Sequence, residues 1–136
     1  MSQAQSEQLI QCYYRAFNEG DMTTFLGLLT EGVVHDINQG GRETGKAAFA
    51  AFMERMNRHY KEQLVDMVIM VNAAGDRAAA EFVVLGEYQS TDPGLPEAAG
   101  QRYRLPAGAF FEIKDNKVAR ISNYYNLNDW IAQVSQ

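Results

Sequence analysis

The chain opens with apolar residues at helical spacing. Ile10, Tyr13, Tyr14 and Phe17 recur at i, i+3, i+4 and i+7, which predicts one buried helix face. Gly20 stands where a left-handed residue would stop that helix, and Asp21 where a cap would start the next, whose apolar side is Met22, Phe25, Leu28 and Leu29. Val33 and Val34 then lead a short strand that ends on His35, Asp36, Ile37 and Asn38. QGGRETG reads as a turn, and Thr44 as the cap of a third helix from about Lys46 to Glu62. Phe49, Phe52, Met53, Met56 and Tyr60 fall on one face of it.

Further on the period drops to two. Residues 65–73 predict a strand, closed by a turn at Ala74, Gly75 and Asp76. Within 78–89, Ala80, Phe82, Val84, Gly86 and Tyr88 share one side, opposite Glu81, Val83, Leu85 and Glu87. Residues 90–101 hold two of the three prolines and predict a poorly ordered loop. Residues 102–114 predict a long strand with Tyr103, Leu105, Ala107, Ala109, Phe111 and Ile113 on its apolar side, bent or bulged at Pro106 and Gly108. Asp115 and Asn116 turn the chain into a strand over 117–126, and Asn128 or Asp129 starts a last short helix carrying Trp130, Ile131 and Val134.

Helices come early and strands late, the order of an α+β fold. We expect a curved antiparallel or mixed sheet wrapped around a long helix as a cone, with one end filled and the other open to a small molecule. No repeat, low-complexity tract or linker divides the chain, so residues 1–136 are expected to form a single domain.

Composition narrows the partners. An apolar fraction of 46% suits one compact core. Twelve basic residues against 17 acidic ones, with no Lys/Arg run, point away from nucleic acid and from anionic membranes. No apolar run is long enough to span a bilayer. The polar N-terminus lacks a secretion signal, and the single Cys12 cannot form an internal disulfide, so a cytoplasmic setting is expected. Two histidines without a cysteine cluster give no metal pattern. GGRETGK has the spacing of a phosphate loop, but Ala47 stands where a Ser or Thr would hold magnesium.

Candidate chemistry gathers on two side chains. Asp36, in an apolar cavity, would have its pKa raised by desolvation and could act as a general base. Its plainer alternatives are to cap the glycine turn or to pair with Arg42. Tyr13 could donate to a substrate oxygen or simply fill space. If Asp36 looks inward, alternation turns His35 outward. His59, near the end of the third helix, suits a solvated position favoured by the helix dipole. Phe52, Met53, Phe82, Val84, Tyr88 and Phe111 would form the walls, and Gly86 would leave room between them.

The stretch YYRAFNEGD, the strand ending in Asp36, the turn ending RETG, EFVVLGEYQ and AFFEIKDNKVARI resemble the ketosteroid isomerase and SnoaL-type polyketide cyclase group of the nuclear-transport-factor-2-like superfamily. The resemblance covers nearly the whole chain and looks closest to uncharacterised steroid-isomerase-related proteins. It implies the cone fold and, in the isomerase, an aspartate base working beside a tyrosine and a protonated aspartic acid. Counted from NEGD, the tyrosine falls on Tyr13. The base falls on Asp36 with a one-residue gap, and on Ile37 without one. The second acid falls on Ala109, and losing one such donor costs about 10²–10³ in rate. The same alignment turns Ile121, Asn123 and Tyr125 toward the cavity.

The resulting expectation is a cofactor-independent isomerase, cyclase or lyase moving a proton on a small apolar carbonyl compound. Asp36 and Tyr13 would act on it; Asn123, Tyr125, Tyr88, Phe52, Phe82, Val84, Phe111 and Ile121 would bind it. A ligand-binding protein and a dimerisation module are the alternatives on the same scaffold. All three readings expect a homodimer through an outer sheet face carrying Val83, Leu85 and Phe110.

Overall fold

The structure, a computed structural model, describes residues 2–136. Helix α1 spans Gln3–Glu19 and starts well before its apolar stripe, because Ser2 and Gln5 form a reciprocal capping box. Gly20, at φ 71°, ends it in the left-handed region. Asp21 caps α2 (Met22–Gly27), accepting from the Thr24 amide at 3.1 Å and its hydroxyl at 2.6 Å. Then come β1 (Leu29–Ile37), β2 (Arg42–Thr44), α3 (Lys46–His59), β3 (Tyr60–Val71), β4 (Arg77–Tyr88), β5 (Arg102–Lys114), β6 (Lys117–Tyr125) and α4 (Leu127–Val134).

The strands make one curved, open, mixed sheet in the order β2-β1-β6-β5-β4-β3. Only β1 and β6 run parallel; every other neighbouring pair is antiparallel. Helix α1 lays its aromatic stripe on the inner face, where Tyr14 meets Phe82 and Tyr13 meets Phe111 at ring-centroid distances of 5.3 Å. The core continues through Ile10, Phe25, Leu29, Val33, Val118 and Ile121.

Several boundaries differ from the sequence reading. Thr44 belongs to β2, and α3 starts after Gly45 with no side-chain cap. That helix ends at His59, since Tyr60, Glu62 and Leu64 alternate with Lys61, Gln63 and Val65 and find a ladder partner in β4. Strand β3 is therefore longer than expected and begins earlier. Its register slips between Val65 and Val68, where Asp66 takes φ 54°; beyond this bulge Ile69 and Val71 face the core while Val68 and Met70 are exposed. Pro106 and Gly108 do not break the ladder between β4 and β5; the slip in β5 comes later, at Glu112/Ile113 against β6.

The loop 89–101 is tied down rather than loose. The Tyr88 hydroxyl donates to Pro96 O at 2.6 Å and accepts from the Asp92 amide, and the Ala98 amide donates to Thr91 Oγ1 at 2.9 Å. Helix α4 starts slightly earlier than expected, capped by Asn126, whose Oδ1 accepts from the Asp129 amide.

Candidate active site

The cone encloses a hollow of about 570 Å³, bordered by α1, α3, the inner sheet face and α4. Strand register decides which side chains enter it. His35 lies beside Ile121 and Ile37 beside Asn123, on the inner face, whereas Asp36 lies beside Ser122 on the face shared with Arg120.

This overturns the expected phase of β1. His35, expected to look away, is 3% exposed and sits in the hollow's wall, stacked on Phe49 and edge-on to Phe52, each at 4.5 Å. Asp36, expected inside as a base, borders the hollow but turns its carboxylate to two arginines. Arg42 Nε donates to Oδ1 at 2.6 Å and Nη2 to Oδ2 at 3.0 Å, while Arg120 Nε donates to Oδ2 at 2.7 Å. The hydrogen bond from Arg42, seconded by Arg120, holds the Asp36 pKa down at about 2. A carboxylate so stabilised is a poor proton acceptor, so the pairing alternative is the one realised. The ungapped count, which puts Ile37 at the base position, agrees with the geometry.

His35 shows the converse. Burial disfavours its cation and lowers its pKa, against the opposing charges of Glu43 and Asp36. Its Nδ1 has no partner. Directly across the β1–β2 ladder stands Glu43, whose Oε1 is also buried and unpartnered. The third such atom among the described residues is the Tyr14 hydroxyl. Buried polar atoms are normally satisfied within the protein; here His35 and Tyr14 border the hollow, and Glu43 stands beside His35.

Tyr13 and Tyr14 both border the hollow. Burial pushes both phenols up, Tyr13 further through its neighbour Tyr14, so both stay protonated at neutral pH. Asn123 is on the wall, its backbone carbonyl taken by Asn38. Ala109 is buried beside it and supplies only a methyl group.

Phe52, Phe82, Val84 and Tyr125 border the hollow as well. Tyr88, Phe111 and Ile121, expected among the ligand-binding residues, are buried in the core and do not border the hollow. Tyr88 lies between Tyr60 and Trp130, and Phe111 lies beneath the rings of Tyr13 and Tyr14. Gly86 does not widen the hollow either, for the Tyr103 ring fills the space over it. His59 is bonded through Nδ1 to Ser90 outside the site.

One group was hidden by the overlong third helix. Glu62 faces inward from β3 and takes a hydrogen bond from the Tyr103 hydroxyl. The alternation of Tyr60, Glu62 and Leu64 was the signal that would have revealed it.

Among the described residues no group of His, Cys, Asp and Glu side chains is arranged to hold a metal ion, and no helix is long and apolar enough to cross a membrane.

Residues 10–121 match the family model described as a SnoaL-like domain. A solved structure from Pseudomonas putida KT2440, described as a candidate polyketide cyclase, is 63% identical, with a TM-score of 0.94 over 95% of this chain and 97% of that one. Another from Xanthomonas campestris pv. campestris, described in the same way, is 54% identical, with a TM-score of 0.94 over 97% of this chain and 98% of that one. A protein of the NTF2-like type from Burkholderia xenovorans LB400 shares the fold at 16% identity, with a TM-score of 0.77 over 98% of each chain. No curated protein matches the chain.

Proposed function

We propose, from the premise that this chain belongs to the SnoaL-like domain family, that its hollow takes a small, largely apolar carbonyl compound of the polyketide kind and moves a proton on it. The reaction class is a cyclisation or isomerisation through an enolate, without a cofactor. Relatives at 54% and 63% identity that are described as candidate polyketide cyclases support the substrate class. The observation that carries the reading is the unpartnered imidazole of His35 in an apolar hollow that also holds two protonated phenols.

In this reading neutral His35 takes the proton from the carbon next to the substrate carbonyl. A lowered pKa keeps the imidazole free to accept at neutral pH. The hydroxyl of Tyr14 or Tyr13 donates to the carbonyl oxygen as it becomes an enolate, and each phenol is too basic when ionised to lose that proton outright. Glu43, behind His35, favours the imidazolium that forms. Asn123 and Tyr125 orient the substrate. The imidazolium then returns the proton to another carbon, or to the oxygen released by ring closure. The outer sheet face, with Phe110, Met70 and Tyr124 exposed, is read as the contact with a second copy of the chain.

The test is deuterium uptake at the α-carbon of enolisable aryl ketones in D₂O, followed by NMR for wild type, His35→Gln and Tyr14→Phe. Loss of about 10²-fold or more in His35→Gln, with the ketone still bound, is the expected result. Exchange that survives His35→Gln unchanged overturns the assignment of the base. Ketone binding with no exchange in wild type favours a non-catalytic binder.

A further inference from the structure

Glu62 is a carboxyl of the hollow's wall that the proton-transfer reading leaves unused. Glu62 of β3 lies opposite Gly86 of β4, which lies opposite Tyr103 of β5. A Cβ at Gly86 would come within 2.1 Å of the Tyr103 ring. A glycine in mid-strand gives up side-chain packing and stability. Here it lets a phenol lie across β4 and donate to Glu62 Oε2.

Glu62 Oε1 has no such donor among the described residues, and no Lys or Arg pairs with the carboxyl. The residue borders the hollow, and burial raises its pKa against the opposing Tyr103 bond. Around it the wall is aromatic: Trp130 packs on Tyr103, and Tyr60 is held by a 2.8 Å hydrogen bond to Asp92 of the loop 89–101. Strands β1 and β3 are four spacings apart in the sheet, about 19 Å along its curve and less across the cone. His35 and Glu62 therefore border the hollow from well-separated strands of the sheet.

We propose that the open oxygen of Glu62 is a recognition site for a hydroxyl group, alcohol or phenol, carried by the ligand at the end away from its reacting carbonyl. The substrate class becomes a hydroxylated apolar ring compound rather than a plain ketone. A carboxyl accepts from a hydroxyl whether it is ionised or neutral. An ammonium group would need the ionised form, which burial disfavours. The proposal rests on the hollow being a ligand site and not on any proton transfer, so its test uses probes with no enolisable proton.

Binding of 2-naphthol, 2-methylnaphthalene and 2-naphthylmethylammonium is measured by calorimetry for wild type, Glu62→Gln, Tyr103→Phe and His35→Gln. Wild type should prefer 2-naphthol over 2-methylnaphthalene by about tenfold or more. In Glu62→Gln the amide oxygen remains with Tyr103 and an NH₂ group faces the hollow, so the preference should fall to about twofold while 2-methylnaphthalene binds as before. Tyr103→Phe and His35→Gln should keep the preference, which separates recognition by Glu62 from a structural Glu–Tyr pair and from a hydroxyl bound at His35. Equal binding of the two neutral probes to wild type overturns the proposal. So does a preference that survives Glu62→Gln or disappears in Tyr103→Phe or His35→Gln, or tighter binding of the ammonium probe. Failure of all three probes to bind removes the ligand site itself, and the proposed function with it.

Discussion

A carboxylate gripped by two guanidiniums and an imidazole pressed between two phenyl rings sit one residue apart in β1, and their environments pull their protonation in useful directions. Asp36 is held ionised by its pairs with Arg42 and Arg120. Asp36→Asn should lower unfolding free energy by about 1–3 kcal/mol at pH 7, measured by urea denaturation, and leave α-proton exchange within a few-fold of wild type. The sign with pH follows from its depressed pKa. Its contribution is present above the unfolded value of about 3.9 and is lost as pH falls through about 2, so the gap between variant and wild type should close in strong acid. At this scale the sequence was half legible. Val33, His35 and Ile37 already alternate against Val34, Asp36 and Asn38, and that plain pattern turns His35 inward. Placing the carboxylate inside relied on a gap in the resemblance; Arg42 was already visible as a partner six residues on, whereas Arg120 comes from β6, more than 80 residues away.

Elements with long, uninterrupted alternation were read correctly to their inner faces. In β4 and β5, Ala80, Phe82 and Val84 face the core with Leu105, Ala109 and Phe111, because only that phase hides the apolar set. Strand β3 was misread at its start, for Tyr60 and Glu62 also suit a helix, and its phase is reset by a bulge that no periodicity shows. Gly86 was noticed as a missing side chain, but only cross-strand register reveals that Tyr103 occupies the gap. Gly86→Ala should therefore destabilise the protein by about 1–3 kcal/mol, read from thermal unfolding, because the added methyl meets the Tyr103 ring and must push it off Glu62. A variant as stable as wild type would mean that the ring has room to move.

The whole molecule leaves its outer sheet face apolar. Val68, Met70, Leu85, Phe110 and Tyr124 are each 41–52% exposed there. Such a face invites a second copy, and Phe110→Glu should shift a dimer to monomer in sedimentation without disturbing the hollow on the other side. An unchanged sedimentation coefficient would leave that face without a role in assembly. The loop 89–101, expected to be loose, instead brings Gln89, Asp92 and Leu95 to the hollow's border, a placement fixed by hydrogen bonds to Tyr88 and Tyr60 that the loop's own composition does not encode.

His35 faces the hollow as a neutral imidazole, and the chain has one other histidine, His59. NMR titration of the two imidazoles, assigned with His59→Gln and repeated with saturating 2-methylnaphthalene, reads that state directly. The His35 midpoint should lie below the ordinary imidazole value of about 6.5, and should fall further and shift when the probe fills the hollow. A His35 signal that titrates like a free imidazole and ignores the bound probe would contradict it.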